Sequence, residues 1–422
     1  MSVGENMKKK ILTLSDHPLS PSGVGTQTRY VIEALLKTGN YQVVSIAGAI
    51  KHANYQPVKT EQFGDDWVIH PVDGYGTADL IRSVIRTEKI DMVWIMTDPR
   101  FWDWLWGIDD EIRAVCPLVY YHVWDNYPYP TFNRRHYLSN DAIATISKVT
   151  DDIVKTVAPE VKSKYIPHAV NSEIFKPLSD EEILDIKKNT FGEEDKFVFF
   201  WNNRNARRKQ SGSLLFWYKD LLDRIGKDKT TLIMHTDTKD PNGQDLEKII
   251  QNLGIDQGEV KFSKNKLPAE NLAAMYNAAD CTINVSDAEG FGLATLESLS
   301  CGTPIIATMT GGLQEQVTDG DKFFGIGVEP ASKAIIGSQG IPWIYEDRLN
   351  GKEVVDAMQL MVEMPKDEIK KLGAAGRAHV EKNYSFESFE KGWTEFVKEV
   401  IKENGSWSDR KNYKNWTLKE IS

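Results

Sequence analysis

Cysteine is scarce in this 422-residue chain. Cys116, Cys281 and Cys301 are an odd number of isolated thiols with no C-x-x-C spacing, so neither a disulfide framework nor a zinc site is indicated. A reducing, cytoplasmic compartment is the expectation that follows. Long apolar runs are also missing. The run after Lys8-Lys9-Lys10 extends only over Ile11–Leu14, too short for a signal segment or a membrane span. An excess of positive charge is missing too. With 51 Lys and Arg against 61 Asp and Glu, the net charge is −10. Such a chain gains nothing overall from releasing counterions along a phosphate backbone, which disfavours generic nucleic-acid binding. Neither a repeat nor a low-complexity segment is seen. The remaining composition, 41% hydrophobic and 27% charged, is that of a folded globular protein. The length exceeds one ordinary core and predicts two domains.

Short apolar runs alternate with helical periods. Ile11–Leu14, Val43–Ala47, Met92–Met96, Leu118–Tyr121 and Ala142–Ile146 read as strands, with a helix over Thr26–Lys37 stopping at Gly39. The pattern restarts with strands at Phe197–Trp201, Thr231–Met234, Val260–Phe262, Cys281–Val285 and Pro304–Ala307. Helical spacing spans Ser213–Ile225 and joins Leu272, Met275, Tyr276 and Ala279. Strand–helix alternation predicts parallel sheets wrapped by helices. The fold expected is α/β with two doubly wound, Rossmann-like domains, residues 1–170 and 171–385, facing across a cleft. A terminal helix, Phe386–Lys402, lies within a closing segment 386–422. In domains of this kind ligands sit at the carboxyl ends of strands. Trp102, Trp104 and Trp106 alternate without an adjoining basic amphipathic helix. Burial between helices is therefore expected, with no stable membrane insertion.

The most informative segment is Ser286-Asp287-Ala288-Glu289-Gly290-Phe291-Gly292-Leu293-Ala294-Thr295-Leu296-Glu297. A strand ends, a glycine turn follows, and a helix starts near Gly292. Unpaired N–H groups at that start suit a phosphate. Glu289 and Glu297 stand about 10–12 Å apart along a helix, a spacing that can bracket a diphosphate. Two isolated glutamates would be unremarkable, but the surrounding run is specific. It resembles the Glu-x7-Glu motif of the retaining glycosyltransferase family 4, two-domain enzymes of the GT-B class. Gly302-Thr303-Pro304-Ile305-Ile306-Ala307 and Gly311-Gly312-Leu313-Gln314-Glu315 continue the match. The resemblance implies that Glu289 holds the donor sugar and Glu297 the ribose, with the amides near Phe291, Gly292 and Leu293 on the phosphates.

After the strand Phe197–Trp201 comes Asn202-Asn203-Arg204-Asn205-Ala206-Arg207-Arg208-Lys209. Cations at a strand end can neutralise charge growing on a leaving diphosphate. The family's Arg and the Lys five positions later correspond to Arg204 and Lys209. Asn203 stands where Gly is usual, and Arg207 and Arg208 are left undecided. Gly23 and Gly25, in Ser20-Pro21-Ser22-Gly23-Val24-Gly25-Thr26, are similar to the family's N-terminal glycine loop, which faces the donor phosphates. A tight strand–helix turn would need glycine in any case. His122, in Tyr120-Tyr121-His122-Val123-Trp124-Asp125, stands where the family often has a His reaching the donor sugar; Asp125 is the alternative carboxylate. Tyr127, Tyr129 and Phe132 are read either as an acceptor platform or as core. Asp319-Gly320-Asp321 is not read as a metal motif, and no metal or other cofactor is implied.

The resemblance as a whole implies a retaining transferase. It would move a sugar from a nucleoside diphosphate sugar to a hydroxyl of a glycan, a lipid-linked sugar, a polyol or a modified nucleobase. A sugar-nucleotide epimerase or hydrolase, or a non-catalytic sugar-nucleotide binding module, are the alternatives. Nothing in the sequence chooses among UDP, GDP and ADP donors.

Overall fold

Runs such as Met92–Met96 and Leu118–His122 carry no polar alternation, which marks strands covered on both faces. In the computed structural model, which describes residues 7–126, 129–193 and 195–414, every residue of both strands is buried. The chain divides into two compact units. One comprises Met1–Trp124, Pro128–His168 and Glu387–Ser422, and the other Asp125–Tyr127 and Ala169–Phe386.

The strands of the first unit are β1 (Lys9–Asp16), β2 (Tyr41–Gly48), β3 (Val58–Lys59), β4 (Trp67–Pro71), β5 (Met92–Met96), β6 (Leu118–His122), β7 (Ala142–Thr145) and β8 (Lys162–Tyr165). They form one sheet in the order β3-β4-β2-β1-β5-β6-β7-β8, parallel except for the β3–β4 pair. The chain proceeds outward from β1 through β2 to β4, then returns to lay β5 on the other side of β1. That reversal is the topological switch point, where such sheets open a crevice.

The second unit contains β9 (Phe197–Asn202), β10 (Thr230–His235), β11 (Val260–Ser263), β12 (Cys281–Asn284), β13 (Ile305–Thr308) and β14 (Gly325–Val328). All are parallel in the order β11-β10-β9-β12-β13-β14, so its switch point falls between β9 and β12. An antiparallel hairpin, β15 (Ser332–Ser338) and β16 (Ile341–Arg348), forms a separate two-stranded sheet.

Sequence patterning missed β3, β4, β8, β14 and the hairpin. β8 reads Lys-Ser-Lys-Tyr, the charged face of an edge strand, so no apolar run announces it. The first helix starts at Gly23, ahead of the expected Thr26, because Ser22 caps it by accepting from the Gly25 amide. Trp102 and Trp106 are buried, as their alternation suggested.

The terminal helix Phe386–Asn404 packs in the first unit. Its fully buried Trp393 meets Trp94 and Tyr121 edge-on at 5.9 and 4.7 Å. Beyond it, Trp407 N donates to Val115 O at 2.7 Å and Arg410 pairs with Asp141 at 2.7 Å. Residues 415–422 of the closing segment lie outside the described residues. Among the described residues no helix is long and apolar enough to cross a membrane.

Candidate functional site

Two loops leave the second unit's switch point, one after β9 and one after β12. The loop after β9 is shaped by Asn205, which is fully buried. Its carbonyl oxygen accepts from Ser211 Oγ at 2.6 Å and its amide donates to Gln244 O at 2.8 Å. Arg207–Lys209 then forms a single tight turn, ended by Gln210 at φ 55°. In so short a turn successive side chains point apart, and the three cations find three partners. Arg207 forks onto Glu346 at 2.8 and 2.6 Å. Arg208 donates to Ala288 O at 2.5 Å and lies 3.5 Å from Asp125, while Lys209 pairs with Glu289.

The loop after β12 holds the complementary groups. Its backbone is tied to the basic turn by Asp287 N donating to Arg208 O at 2.8 Å. The Gly311-Gly312 loop presses on it closely. A Cβ on Gly311 would sit 1.9 Å from Glu289 O, and one on Gly312 would sit 2.6 Å from Gly290 O. Gln316 donates to the carbonyls of Phe291 and Gly292 at 2.7 and 3.1 Å. The family-like Gly-Gly-Leu-Gln-Glu stretch is therefore the buttress of the Glu289 loop.

Gly292, at φ 90°, precedes the helix Leu293–Ser300, and no side chain caps that helix. Its first-turn amides have no intrahelical acceptor and carry the positive end of the dipole, an arrangement that suits an anion. Phe291 is itself core, edge-on to Tyr384 at 5.8 Å, so only its backbone is available for a phosphate.

The charges are set by burial and by close partners. Burial opposes ionisation of Glu289, but Lys209 and Arg208 outweigh it and hold the carboxyl below its usual range. Burial likewise lowers Lys209, with Glu289 opposing. Glu297 accepts from Tyr276 Oη at 3.0 Å, and Tyr276 in turn accepts from Asn202 at 2.7 Å. Burial raises Glu297 to about 7 against that hydrogen bond. Burial also raises Asp287 to about 6, opposed by Gln210 and Arg348.

Some expected site residues come together and others do not. Glu289, Lys209, Glu297 and the Phe291–Leu293 turn lie on the two strand-end loops and the helix that leaves them. Arg204 is exposed and forks onto Asp240 at 2.6 and 3.2 Å, on the loop after β10. The turn at Ala206 sets Arg208, six residues beyond the end of β9, against Ala288 O and Asp125, where its charge also acts on Glu289. Glu346 and Arg348, from the hairpin, were not anticipated. Arg348 reaches Asp287 at 2.9 Å, and Glu346 receives both Arg207 and Arg348. No local motif marks them, since they belong to a hairpin some fifty residues further along the chain.

In the first unit, His122 stands at the end of β6. β6 is an interior strand, and His122 is fully buried, with Nε2 bonded to Tyr137 Oη at 2.8 Å. Burial, with the charge of His136, lowers it to about 3. Gly25 is required by packing: a Cβ there would stand 2.6 Å from His17 O. Gly23 is exposed at the helix start. Phe132 meets Trp124 edge-on at 5.9 Å, whereas Tyr127 lies outside the described residues.

The fold and the sequence both have known counterparts. Residues 182–355 match the family model described as Glycosyl transferases group 1. The D-inositol 3-phosphate glycosyltransferase of Corynebacterium jeikeium is 30% identical over 181 residues, 42% of this chain and 43% of that enzyme. The chain thus spans less than half the length of that relative. Among solved structures, the sucrose-phosphate synthase of Thermosynechococcus elongatus aligns with TM-score 0.74 and 16% identity, over 94% of this chain and 100% of the other. Anabaena HepE in complex with UDP-glucose aligns with TM-score 0.69 and 17% identity, over 92% and 99%. The expected GT-B fold is therefore present, and the glycosyltransferase resemblance is borne out over the stretch that holds the donor-like loops.

Proposed function

From a GT-B fold whose residues 182–355 match the glycosyl transferases of group 1, we propose that this chain is a retaining glycosyltransferase using a nucleoside diphosphate sugar. The carrying observation is the convergence of Lys209, Arg208 and Glu289 beside an uncapped helix start at the β9/β12 switch point. The diphosphate lies on the Leu293–Ser300 amides. Arg208 donates to it with the guanidinium N–H groups left over from Ala288 O, since the fork has five donors. Lys209 exchanges part of its pairing with Glu289 for the phosphate as negative charge grows on the leaving group. Glu289, kept ionised by both cations, accepts from donor-sugar hydroxyls, and Glu297 accepts from the ribose.

In this reading the acceptor proton passes to the leaving diphosphate on the same face of the sugar, so no side chain has to act as a base. That agrees with the burial of His122. No metal is assigned a role. Catalysis then rests on placed charge, not on a titrating residue.

UDP-glucose is the first donor to try, because it occupies a protein of the same fold. The test is a calorimetric screen of UDP, GDP and ADP sugars, followed by assay of nucleoside diphosphate release. Binding of none of them, by a preparation that unfolds cooperatively, rejects the reading.

A further inference from the structure

The hairpin β15–β16 stands outside the parallel sheet, yet the end of β16 is buried among the donor-like loops. Alternate residues of a strand share a face, so Glu346 and Arg348 leave β16 on the same side. Both run into the loops after β9 and β12. Glu346, 2% exposed, accepts the Arg207 fork and a bond from Arg348 at 3.1 Å. Arg348 also lies 2.9 Å from Asp287, and Arg207 lies 3.9 Å from the same carboxylate. Two cations and two buried carboxylates thus close a neutral ring in which each cation faces both carboxylates. The backbone joins in, with Asp347 N donating to Asp287 O at 2.9 Å and Tyr345 O accepting from Asn126 Nδ2 at 2.8 Å.

Taking two carboxylates out of water is costly, and buried ion pairs add little net stability over apolar groups of the same size. Burial opposes ionisation of Glu346, and Arg207 and Arg348 outweigh it, so the ring keeps its charges. What such a ring supplies is one fixed geometry. Its place gives that geometry a use. Arg207 begins the tight turn Arg207–Lys209, and Asp287 N bonds to Arg208 O at 2.8 Å. The ring therefore grips the residue before Arg208 and the residue before Ala288, whose carbonyl Arg208 meets. Between them they set the spacing across which Lys209 pairs with Glu289.

Resting on the transferase reading, we infer that Glu346 and Arg348 are positioning residues for sugar transfer. They touch neither sugar nor diphosphate. They hold the basic turn and the Glu289 loop at the spacing in which Arg208 and Lys209 meet the charge growing on the leaving group. A displacement of about 1 Å at such a site costs on the order of 100-fold in rate.

The test joins hydrogen-exchange mass spectrometry to donor kinetics on the full chain. The donor is the UDP, GDP or ADP sugar that calorimetry selects, and nucleoside diphosphate release is the readout. Glu346→Gln keeps the shape of the side chain and removes its charge. Arg207→Gln opens the ring from its half-exposed side, so the question stays open to test if the first variant folds poorly. In either variant the amides of residues 203–212 should exchange about tenfold faster, with exchange in β9 and β12 unchanged. The kcat should fall about tenfold while KM stays within about twofold. The double variant should be no slower than the slower single one, as expected for two ends of one contact. Unchanged kcat in both single variants overturns the inference, whether or not exchange quickens. A kcat loss without faster exchange overturns it too, as do losses that multiply in the double variant. If the unmodified chain binds none of the nucleotide sugars, the transferase reading falls and takes the positioning role with it. Donor binding and turnover that both survive the two substitutions remove the positioning role alone.

Discussion

The two switch-point crevices share a topology and differ in chemistry. Both lie where a parallel sheet reverses its strand order, β1/β5 in the first unit and β9/β12 in the second. In the second, Arg207, Arg208, Lys209 and Arg348 are each matched to a carboxylate or a carbonyl, beside a helix start that no side chain caps. In the first, Leu19, Ile50, Tyr55 and Phe101 are exposed on the strand-end loops, and Arg100 is already neutralised by Asp98. The helix there is capped by Ser22, so its leading amides are partly spent. A doubly wound sheet thus specifies where a crevice sits but not its charge. The charge is written in loop residues that contribute little to the core.

Four experiments break or sharpen that contrast. The largest effect is expected at the Lys209–Glu289 pair. Lys209→Met leaves Glu289 buried without its counter-charge, which costs about 3–5 kcal/mol of stability for a pair this well covered. Turnover should fall on the order of 100-fold or more with loss of charge stabilisation. Adding Glu289→Gln should restore most of the stability but none of the turnover. Recovery of both, by denaturation and product assay, would make the pair purely structural.

Next comes the choice between two arginines. Arg208→Ala should weaken nucleoside diphosphate binding about tenfold, the loss of a charge-assisted hydrogen bond of roughly 1.5 kcal/mol or more. Arg204→Ala, exposed and paired with Asp240, should change it less than about twofold, as expected for a surface pair. Equal losses in calorimetry would return Arg204 to the phosphate site.

A third change acts on the first crevice alone. Gly25→Ala forces a methyl against His17 O and should destabilise by about 1–3 kcal/mol. UDP binding by the folded protein should be unaltered, and a parallel loss of UDP affinity would tie the glycine loop to the nucleotide.

The smallest effect is a pH dependence. Glu297 is raised from 4.5 to about 7 by burial. Its stabilising contribution is therefore complete below about pH 4.5 and is lost as pH rises through 7. Glu297→Gln should gain melting temperature relative to the unmodified chain between pH 5 and pH 8. The unmodified chain should also bind nucleoside more tightly at pH 8, where Glu297 is ionised to accept from ribose. A pH-independent difference in melting temperature would show that Glu297 does not titrate in this range.

Legibility in the sequence followed burial. Ile11–Leu14, Met92–Met96 and Phe197–Trp201 announced their strands because interior parallel strands must be apolar on both faces. β8 and the β15–β16 hairpin stayed hidden, since edge and protruding strands carry mixed residues. The donor-like loop was readable because Glu289, Gly292, Glu297 and the Gly311–Gly312 contact are compressed into one short segment. The burial of His122 was hidden for a different reason. Its place at the end of a strand suggests a loop, while its neighbours in space, Tyr120 and Tyr137, enclose it.

The sequence by itself determined the parallel α/β architecture, the glycine turn before the Leu293–Ser300 helix and the two glutamates that flank it. These depend on residues close together along the chain. Only the tertiary structure decided that Arg208 meets Ala288 O while Arg204 pairs with Asp240, that Glu346 and Arg348 brace the basic turn, and that His122 is interior. It also decided that Tyr75, from the loop after β4, meets Asp16 at the end of β1. Each of these turns on partners up to about a hundred and forty residues apart, whose meeting is fixed by strand order and has no local signature.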